Sequence, residues 1–179
     1  MRGLKITVIS LLISGIICGQ KYTPTDAASK VHFVIKNFGI RTGGDFTGLK
    51  GSIVFDPNAL NTSSFNVTVN SNTVDTDNGT RDKHLRKEEY FNVEKYPLIR
   101  FVSTKVTKST VAGRFYVFGN LTIKDVIKPI EFGFSAKAVS GGYEFNGDFE
   151  INRRDFGVGG SSISMSDNLK VNLVITAKK

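Results

Sequence analysis

The sequence predicts an all-β fold, an eight-stranded antiparallel up-and-down barrel, and three observations support this prediction. From Val31 onward apolar and polar residues alternate, as they do in strands with one dry face and one wet face. Turn residues separate the alternating segments by short links, which favours antiparallel neighbours in chain order. One segment alone, residues 80–96, breaks the alternation.

The first 19 residues have the three parts of a secretory signal. Arg2 and Lys5 form a positive end, residues 6–18 form an apolar run, and Gly19 is a small residue suited to cleavage. A membrane-spanning helix would need about 20 apolar residues, so this run is too short for one. We therefore expect residues 1–19 to be a signal peptide and residues 20–179 to form one domain, located in the bacterial periplasm or secreted.

Cys18 is the only cysteine of the chain and stands at the end of the apolar run. Signals that resemble the bacterial lipoprotein type place a small residue before the lipid-carrying cysteine, and here that residue is Ile17. We therefore expect that Cys18 is not lipidated. The mature chain would then contain no cysteine and would be held together by its core alone.

Eight segments alternate, and each predicts one strand. Their apolar positions in chain order are Val31, Phe33 and Ile35; Leu49, Gly51, Ile53 and Phe55; Phe65, Val67 and Val69; Ile99 and Phe101; Phe115, Val117, Gly119, Leu121 and Ile123; Ile130, Phe132, Phe134 and Ala136; Tyr143, Phe145, Gly147, Phe149 and Ile151; Leu169, Val171, Leu173 and Ile175. Phe46 is out of phase with Leu49, which predicts a bulge near Thr47 and Gly48 in the second strand.

The segment from Thr80 to Tyr96 is rich in charge and has a spacing compatible with helix, and Pro97 closes it. It predicts one or two short helices inserted between the third and fourth strands.

Aromatic residues are the unusual part of the composition, with 14 Phe, 5 Tyr and no Trp. A barrel of eight strands is just wide enough to be filled by side chains or to hold one small ligand. Three glycines, Gly51, Gly119 and Gly147, stand on the inward face, where they leave either space for a ligand or room for the strands to coil. The residues predicted to line an elongated apolar binding cavity are Phe33, Ile35, Phe46, Phe55, Phe101, Phe132, Phe134, Phe145 and Phe149.

The charge and the reactive residues exclude several classes of function. The formal net charge is +8, but the basic residues are scattered and not clustered with aromatics, so nucleic-acid binding is not expected. We do expect a mild preference for anionic lipid surfaces. The two histidines, His32 and His84, are 52 positions apart in the sequence, and no zinc-binding, P-loop or dinucleotide motif is present. We expect no catalytic site, metal or cofactor.

Several ordered motifs resemble those of the YceI-like family of exported lipid-binding proteins over nearly the whole mature chain. They are residues 81–85 (RDKHL), 90–91 (YF), 96–101 (YPLIRF), 119–123 (GNLTI), 128–130 (KPI) and 154–158 (RDFGV), with Gly44, Phe46, Gly51, Ile53 and Phe55 in the second strand. The resemblance implies an extended lipocalin-like barrel that holds a polyisoprenoid or similar long-chain amphiphile and performs no known catalysis. Many members of the family have histidine at the position of Asn37, which changes the expected contact to the head group.

Three hypotheses follow. The first is a binding protein that sequesters or carries a long-chain apolar ligand. The second is an exported interaction or matrix protein with a filled barrel and its function on the loops, and the third is a hydrolase that uses His84. The charged residues of the motifs, Arg81, Asp82, His84, Arg154 and Asp155, have either a structural role, with each Arg paired to the adjacent Asp, or a role in binding a phosphate head group.

The sequence also leaves two kinds of macromolecular contact open. Transient contact with a membrane would suit the basic excess. Phe118 and Val174, two apolar residues on the wet face, could form a small contact patch in a homodimer, although isolated exposed apolar residues are ordinary.

Overall fold

The computed structural model describes residues 19–179, so the predicted signal peptide, apart from Gly19, and the prediction for Cys18 lie outside the described residues. The strands are β1 (Lys21–Pro24), β2 (Lys30–Asn37), β3 (Ile40–Phe46), β4 (Lys50–Val54), β5 (Ser64–Asn70), β6 (Leu98–Lys108), β7 (Arg114–Ile123), β8 (Val126–Val139), β9 (Gly142–Asn152) and β10 (Met165–Lys178). The helices are α1 (Gly79–Leu85) and four 3-10 turns at Asp26–Ala28, Leu60–Thr62, Ser71–Thr73 and Arg153–Phe156.

The sheet closes on itself into a barrel. Strands β4 to β10 pair antiparallel in chain order, and β1 pairs with both β4 and β10. Strand β2 follows β1 along the edge of β10, and β3 pairs with β2 before the chain continues into β4. Strands β1 and β2 therefore share one position in the barrel as an interrupted strand, and β3 and β4 share another. With β5 to β10, the described residues occupy eight strand positions, which confirms the predicted fold class.

The two interruptions are tied together by one side chain. The carboxylate of Asp26, between β1 and β2, accepts hydrogen bonds from the backbone N–H groups of Gly48 (3.1 Å) and Leu49 (2.7 Å), between β3 and β4. Gly48 has a φ of 73°, a left-handed conformation that glycine adopts without strain. The chain thus bends where the sequence predicts a bulge, and there the strand is interrupted.

Helix α1 lies between β5 and β6, the third and fourth strand positions of the barrel, as predicted. It begins after Asn78, whose side-chain oxygen accepts a hydrogen bond from the N–H of Arg81 at 3.0 Å. Turns then lead the chain to Tyr96 and Pro97, directly before β6. Within residues 19–179 no helix combines the length and the apolar character that crossing a membrane requires.

The inward glycines bring neighbouring strands close together. A Cβ at Gly119 would lie 2.5 Å from the carbonyl oxygen of Val102 and 2.6 Å from the ring of Phe101, and a Cβ at Gly147 would lie 3.2 Å from the carbonyl oxygen of Gly133. The space that a side chain would need at these positions is thus taken by the protein. Of the two explanations for these glycines, space for a ligand is wrong, and the contacts show instead that the missing side chains let neighbouring strands approach closely.

Candidate functional site

One end of the barrel, called here the cavity end, encloses a cavity of about 220 Å³ with an almost wholly apolar wall. Alternate residues of the strands form most of this wall. They are Val31, Phe33, Ile35, Val67, Val69, Ile99, Phe101, Leu121, Ile123, Phe132, Phe149, Ile151, Leu169, Val171, Leu173 and Ile175. The alternation seen in the sequence therefore places one face of nearly every strand against the same space.

The other end of the barrel, the closed end, is filled by an aromatic cluster. Phe55 stands at its centre with 1% of its surface exposed. Its ring centroid lies between 5.2 and 6.4 Å from those of five neighbours, Phe65, Phe115, Phe134, Tyr143 and Phe145. Most of these pairs meet edge to face, the arrangement that aromatic quadrupoles favour.

Tyr22 belongs to the same cluster and meets Tyr143 edge to face at 5.4 Å. Burial, assisted by the nearby Tyr143 and Asp56, raises the pKa of its hydroxyl above the ordinary 10.0. The raised pKa favours the uncharged form of the hydroxyl, which suits a packed core.

The division of the barrel into a cavity end and a closed end corrects the set of residues predicted to line the binding cavity. Six of the nine predicted residues do line the cavity: Phe33, Ile35, Phe46, Phe101, Phe132 and Phe149. The other three, Phe55, Phe134 and Phe145, pack in the aromatic cluster. Alternation identifies the face on which a side chain lies, but residues two apart on a strand are separated by about 7 Å along it, enough to place Phe132 in the cavity wall and Phe134 in the cluster.

The segment between β5 and β6 covers part of the cavity. Leu85, at the end of α1, and Tyr90 and Phe91 after it contribute to the wall. The ring of Phe91 meets that of Phe46 edge to face at 5.3 Å, and its backbone N–H donates to the carbonyl oxygen of Leu85 at 3.0 Å. The inserted helix is thus part of the cavity wall, a role that its charged sequence did not indicate.

A polar network built on Thr76 adjoins this cover. Arg81 donates from Nε to Thr76 Oγ1 (2.7 Å) and from Nη2 to the carbonyl oxygen of Thr76 (2.6 Å). The buried carboxylate of Asp82 accepts from the N–H of Thr76 at 3.0 Å and from its hydroxyl at 2.5 Å. Arg81 is therefore fixed by Thr76, and the pairing with Asp82, which the sequence left open as a structural role, is not formed.

Arg81 also reaches the cavity wall. Its two bonds to Thr76 engage two of the five N–H donors of the guanidinium group, so the group is oriented by the protein and still has donors to offer. Asn37 lines the same cavity. These are two polar groups that a cargo with a polar end would meet.

The second charged motif has a structural centre that the sequence did not reveal. Arg153, only 3% exposed, donates to the carbonyl oxygens of Val158, Gly160 and Ser166 and to the carboxylate of Asp167. These bonds hold the segment between β9 and β10 against the barrel. Nothing in two consecutive arginines indicates which one is buried.

Arg154, which the sequence singled out, is half exposed and lies 3.4 Å from Asp167, so its predicted pairing with Asp155 is wrong. Asp155 is exposed in the 3-10 turn. An exposed pair of this kind contributes little to stability.

The two histidines occupy separate sites. His84 packs its ring against Tyr90 with centroids 4.9 Å apart, and His32 Nδ1 shares a hydrogen bond of 2.8 Å with Asp45. In the part of the chain that the structure describes, no three side chains of His, Cys, Asp or Glu cluster as metal ligands would.

The chain is similar to known proteins over most of its length. The YceI-like domain family matches residues 22–177. A UPF0312 protein of Pectobacterium atrosepticum is 32% identical over 167 residues, which cover 87% of this chain and 85% of the relative.

Two solved structures share the fold. BcnA of Burkholderia cenocepacia superposes with a TM-score of 0.82 at 22% identity, covering 87% of this chain and 99% of its own. A polyisoprenoid binding domain from Saccharophagus degradans, implicated in plant cell wall breakdown, superposes with a TM-score of 0.68 at 16% identity, covering 88% and 97%.

Proposed function

Since the chain belongs to the YceI-like family, we propose that its barrel binds a long-chain apolar molecule, a polyisoprenoid or a similar amphiphile, and sequesters or carries it. The observation that supports this proposal best is the cavity of about 220 Å³ with its apolar wall. The polyisoprenoid binding domain with the same fold supports the choice of cargo.

The physical chemistry of the cavity suits such a cargo. An apolar cavity of about 150 Å³ in a protein core stays free of water and binds small apolar molecules. Each methylene group moved from water into such a space gains about 0.8 kcal/mol. A chain of repeated apolar units can therefore bind tightly with few polar contacts.

The cavity volume also limits how much of the cargo is enclosed. Sites that bury a whole drug-sized ligand have volumes of about 300–1,000 Å³, which exceeds the 220 Å³ found here. We propose that the cavity holds one part of the chain, with the polar end of the cargo near Arg81 and Asn37. The rest of a long chain would then extend out of the barrel or displace wall residues.

Binding without catalysis is the role we infer. The cavity argues against the alternative of a filled barrel with its function on the loops. The packing of His84 against Tyr90 argues against the alternative of a hydrolase. We further propose that residues 1–19 direct export and that the mature protein acts in the periplasm or outside the cell.

The proposed cargo class predicts how affinity depends on chain length. Prenols of increasing length are expected to bind more tightly by about fourfold for each methylene-sized group that enters the cavity, until the cavity is filled and the affinity levels off. The measurement is competition with an environment-sensitive fluorescent fatty acid bound to the chain from Gln20 to Lys179.

Straight-chain alcohols with the same number of carbon atoms are the control that tests whether the branched shape of the isoprenoid contributes to the binding affinity. Affinity that does not rise with prenol length, or the absence of competition at any length, would contradict the proposal.

A further inference from the structure

The hairpin between β2 and β3 ends in an exposed apolar tip. Phe38 and Gly39 form its two-residue turn, with φ angles of 50° and 74°, and Phe38 is 78% exposed. Ile40, directly after the turn, is 69% exposed. Ile163, from the segment before β10, is fully exposed and borders the same open groove as Phe38, and the N–H of Phe38 donates to the carbonyl oxygen of Ser164 at 2.7 Å.

Phe38 is an unexpected residue for this turn. A two-residue hairpin turn with positive φ at both positions favours Asn, Asp or Gly, and a bulky side chain in the left-handed region is strained. The turn thus places an aromatic side chain in water and in a strained conformation, although Asn would satisfy the backbone better. Neither property helps the barrel to fold, which suggests a role in binding.

A basic pair stands directly behind the tip. Lys36 and Arg41 are opposite each other in the register of β2 and β3, and both are exposed. Like charges at opposite positions destabilise a hairpin. Among residues 19–179 no carboxylate lies within 4.0 Å of either charge, so the pair offers two cations to an anionic surface.

We propose that this tip, formed by Phe38, Ile40 and Ile163 with Lys36 and Arg41 behind it, docks on a lipid bilayer surface that carries anionic headgroups. Apolar side chains that enter the boundary of the acyl chains, with cations at the level of the headgroups, are the features by which proteins bind membrane interfaces. The proposal goes beyond cargo binding and does not depend on the identity of the cargo.

The tip lies beside the cavity end of the barrel, so docking would place the cavity next to the membrane. Ile35 and Asn37 on β2, Thr42 on β3 and Met165 on β10 line the cavity and lie next to the turn. A tip inserted in a bilayer would bring the cavity end of the barrel to the membrane surface. An apolar chain could then pass between bilayer and cavity with little exposure to water.

The test is co-sedimentation of the chain from Gln20 to Lys179, which contains every strand of the closed barrel, with vesicles. Vesicles of phosphatidylcholine with about one third phosphatidylglycerol are expected to bind the protein, and vesicles of phosphatidylcholine alone to bind it more weakly. Phe38→Asn is expected to weaken binding at least about tenfold while the melting temperature stays equal or rises, because Asn adopts the left-handed conformation readily. Lys36→Gln is expected to weaken binding about fivefold on anionic vesicles only.

The matched control is Val111→Ser. Val111 is 58% exposed in the turn between β6 and β7, at the closed end, where Val106 and Phe115 pack in the aromatic cluster. This variant is expected to bind vesicles like the unchanged protein. Three outcomes would overturn the proposal: no binding by the unchanged protein, equal losses in Phe38→Asn and Val111→Ser, or a Phe38→Asn effect on self-association in ultracentrifugation without an effect on vesicle binding.

Discussion

Replacing Phe55 with alanine is expected to lower the free energy of unfolding by about 3–5 kcal/mol, the usual cost of emptying a fully buried aromatic site. Phe55 is 1% exposed and touches rings from β5, β7, β8 and β9, so its removal opens a hole that no single neighbour can fill. For a domain of this size the melting temperature should fall by roughly 6 to 20 °C. Chemical denaturation followed by circular dichroism measures the loss.

The matched variant is Phe149→Ala at the cavity end. Phe149 stacks on Phe132 at 4.8 Å, but its other side already faces the cavity, so fewer contacts are lost. We expect a smaller loss of stability than for Phe55→Ala. Equal losses for the two variants would contradict the division of the barrel into a filled end and an open end.

Replacing Val171 with tryptophan is expected to abolish binding of the apolar cargo while the barrel stays folded. Val171 lies on β10 between Phe33 of β2 and Phe149 of β9, and all three line the cavity. A large ring at this position would occupy the space that we assign to the cargo. Because the cavity has room for the ring, the free energy of unfolding should fall little or rise.

Val174→Trp is the control on the same strand. Val174 is exposed on the outer face, so a tryptophan there changes the surface and leaves the cavity intact. In a filled barrel, Val171→Trp would overpack the core at a cost of about 1–3 kcal/mol, with no cargo to lose. Prenol competition and thermal unfolding measured on both variants separate these results, and unchanged binding by Val171→Trp would contradict the assigned site.

The eight strand positions of the barrel and their order could be predicted from the sequence because alternation is a local property. Each barrel strand has one dry face, and a run such as Tyr143 to Ile151 shows that face without reference to any other part of the chain. Strand β1 was not predicted, because it is only four residues long and is defined by its pairing with β4 and β10.

The depth of each side chain within the barrel could not be predicted in the same way. Phe145 and Phe149 share a strand and a face, yet the first belongs to the aromatic cluster and the second to the cavity wall. That difference depends on the tilt and register of the neighbouring strands. The buried role of Arg153 depends likewise on the carbonyl groups that Val158, Gly160 and Ser166 bring to it, and these meet it only after folding.

The most direct test of the central proposal is the mass of the intact protein under non-denaturing ionisation. The full chain, produced in a bacterial host that can process its first residues, is expected to carry a noncovalent apolar molecule that adds to the polypeptide mass and is removed by organic solvent. Its fragmentation should show the repeating five-carbon unit of an isoprenoid. A folded barrel that carries the polypeptide mass alone, and that takes up no prenol when one is supplied, would contradict the proposal.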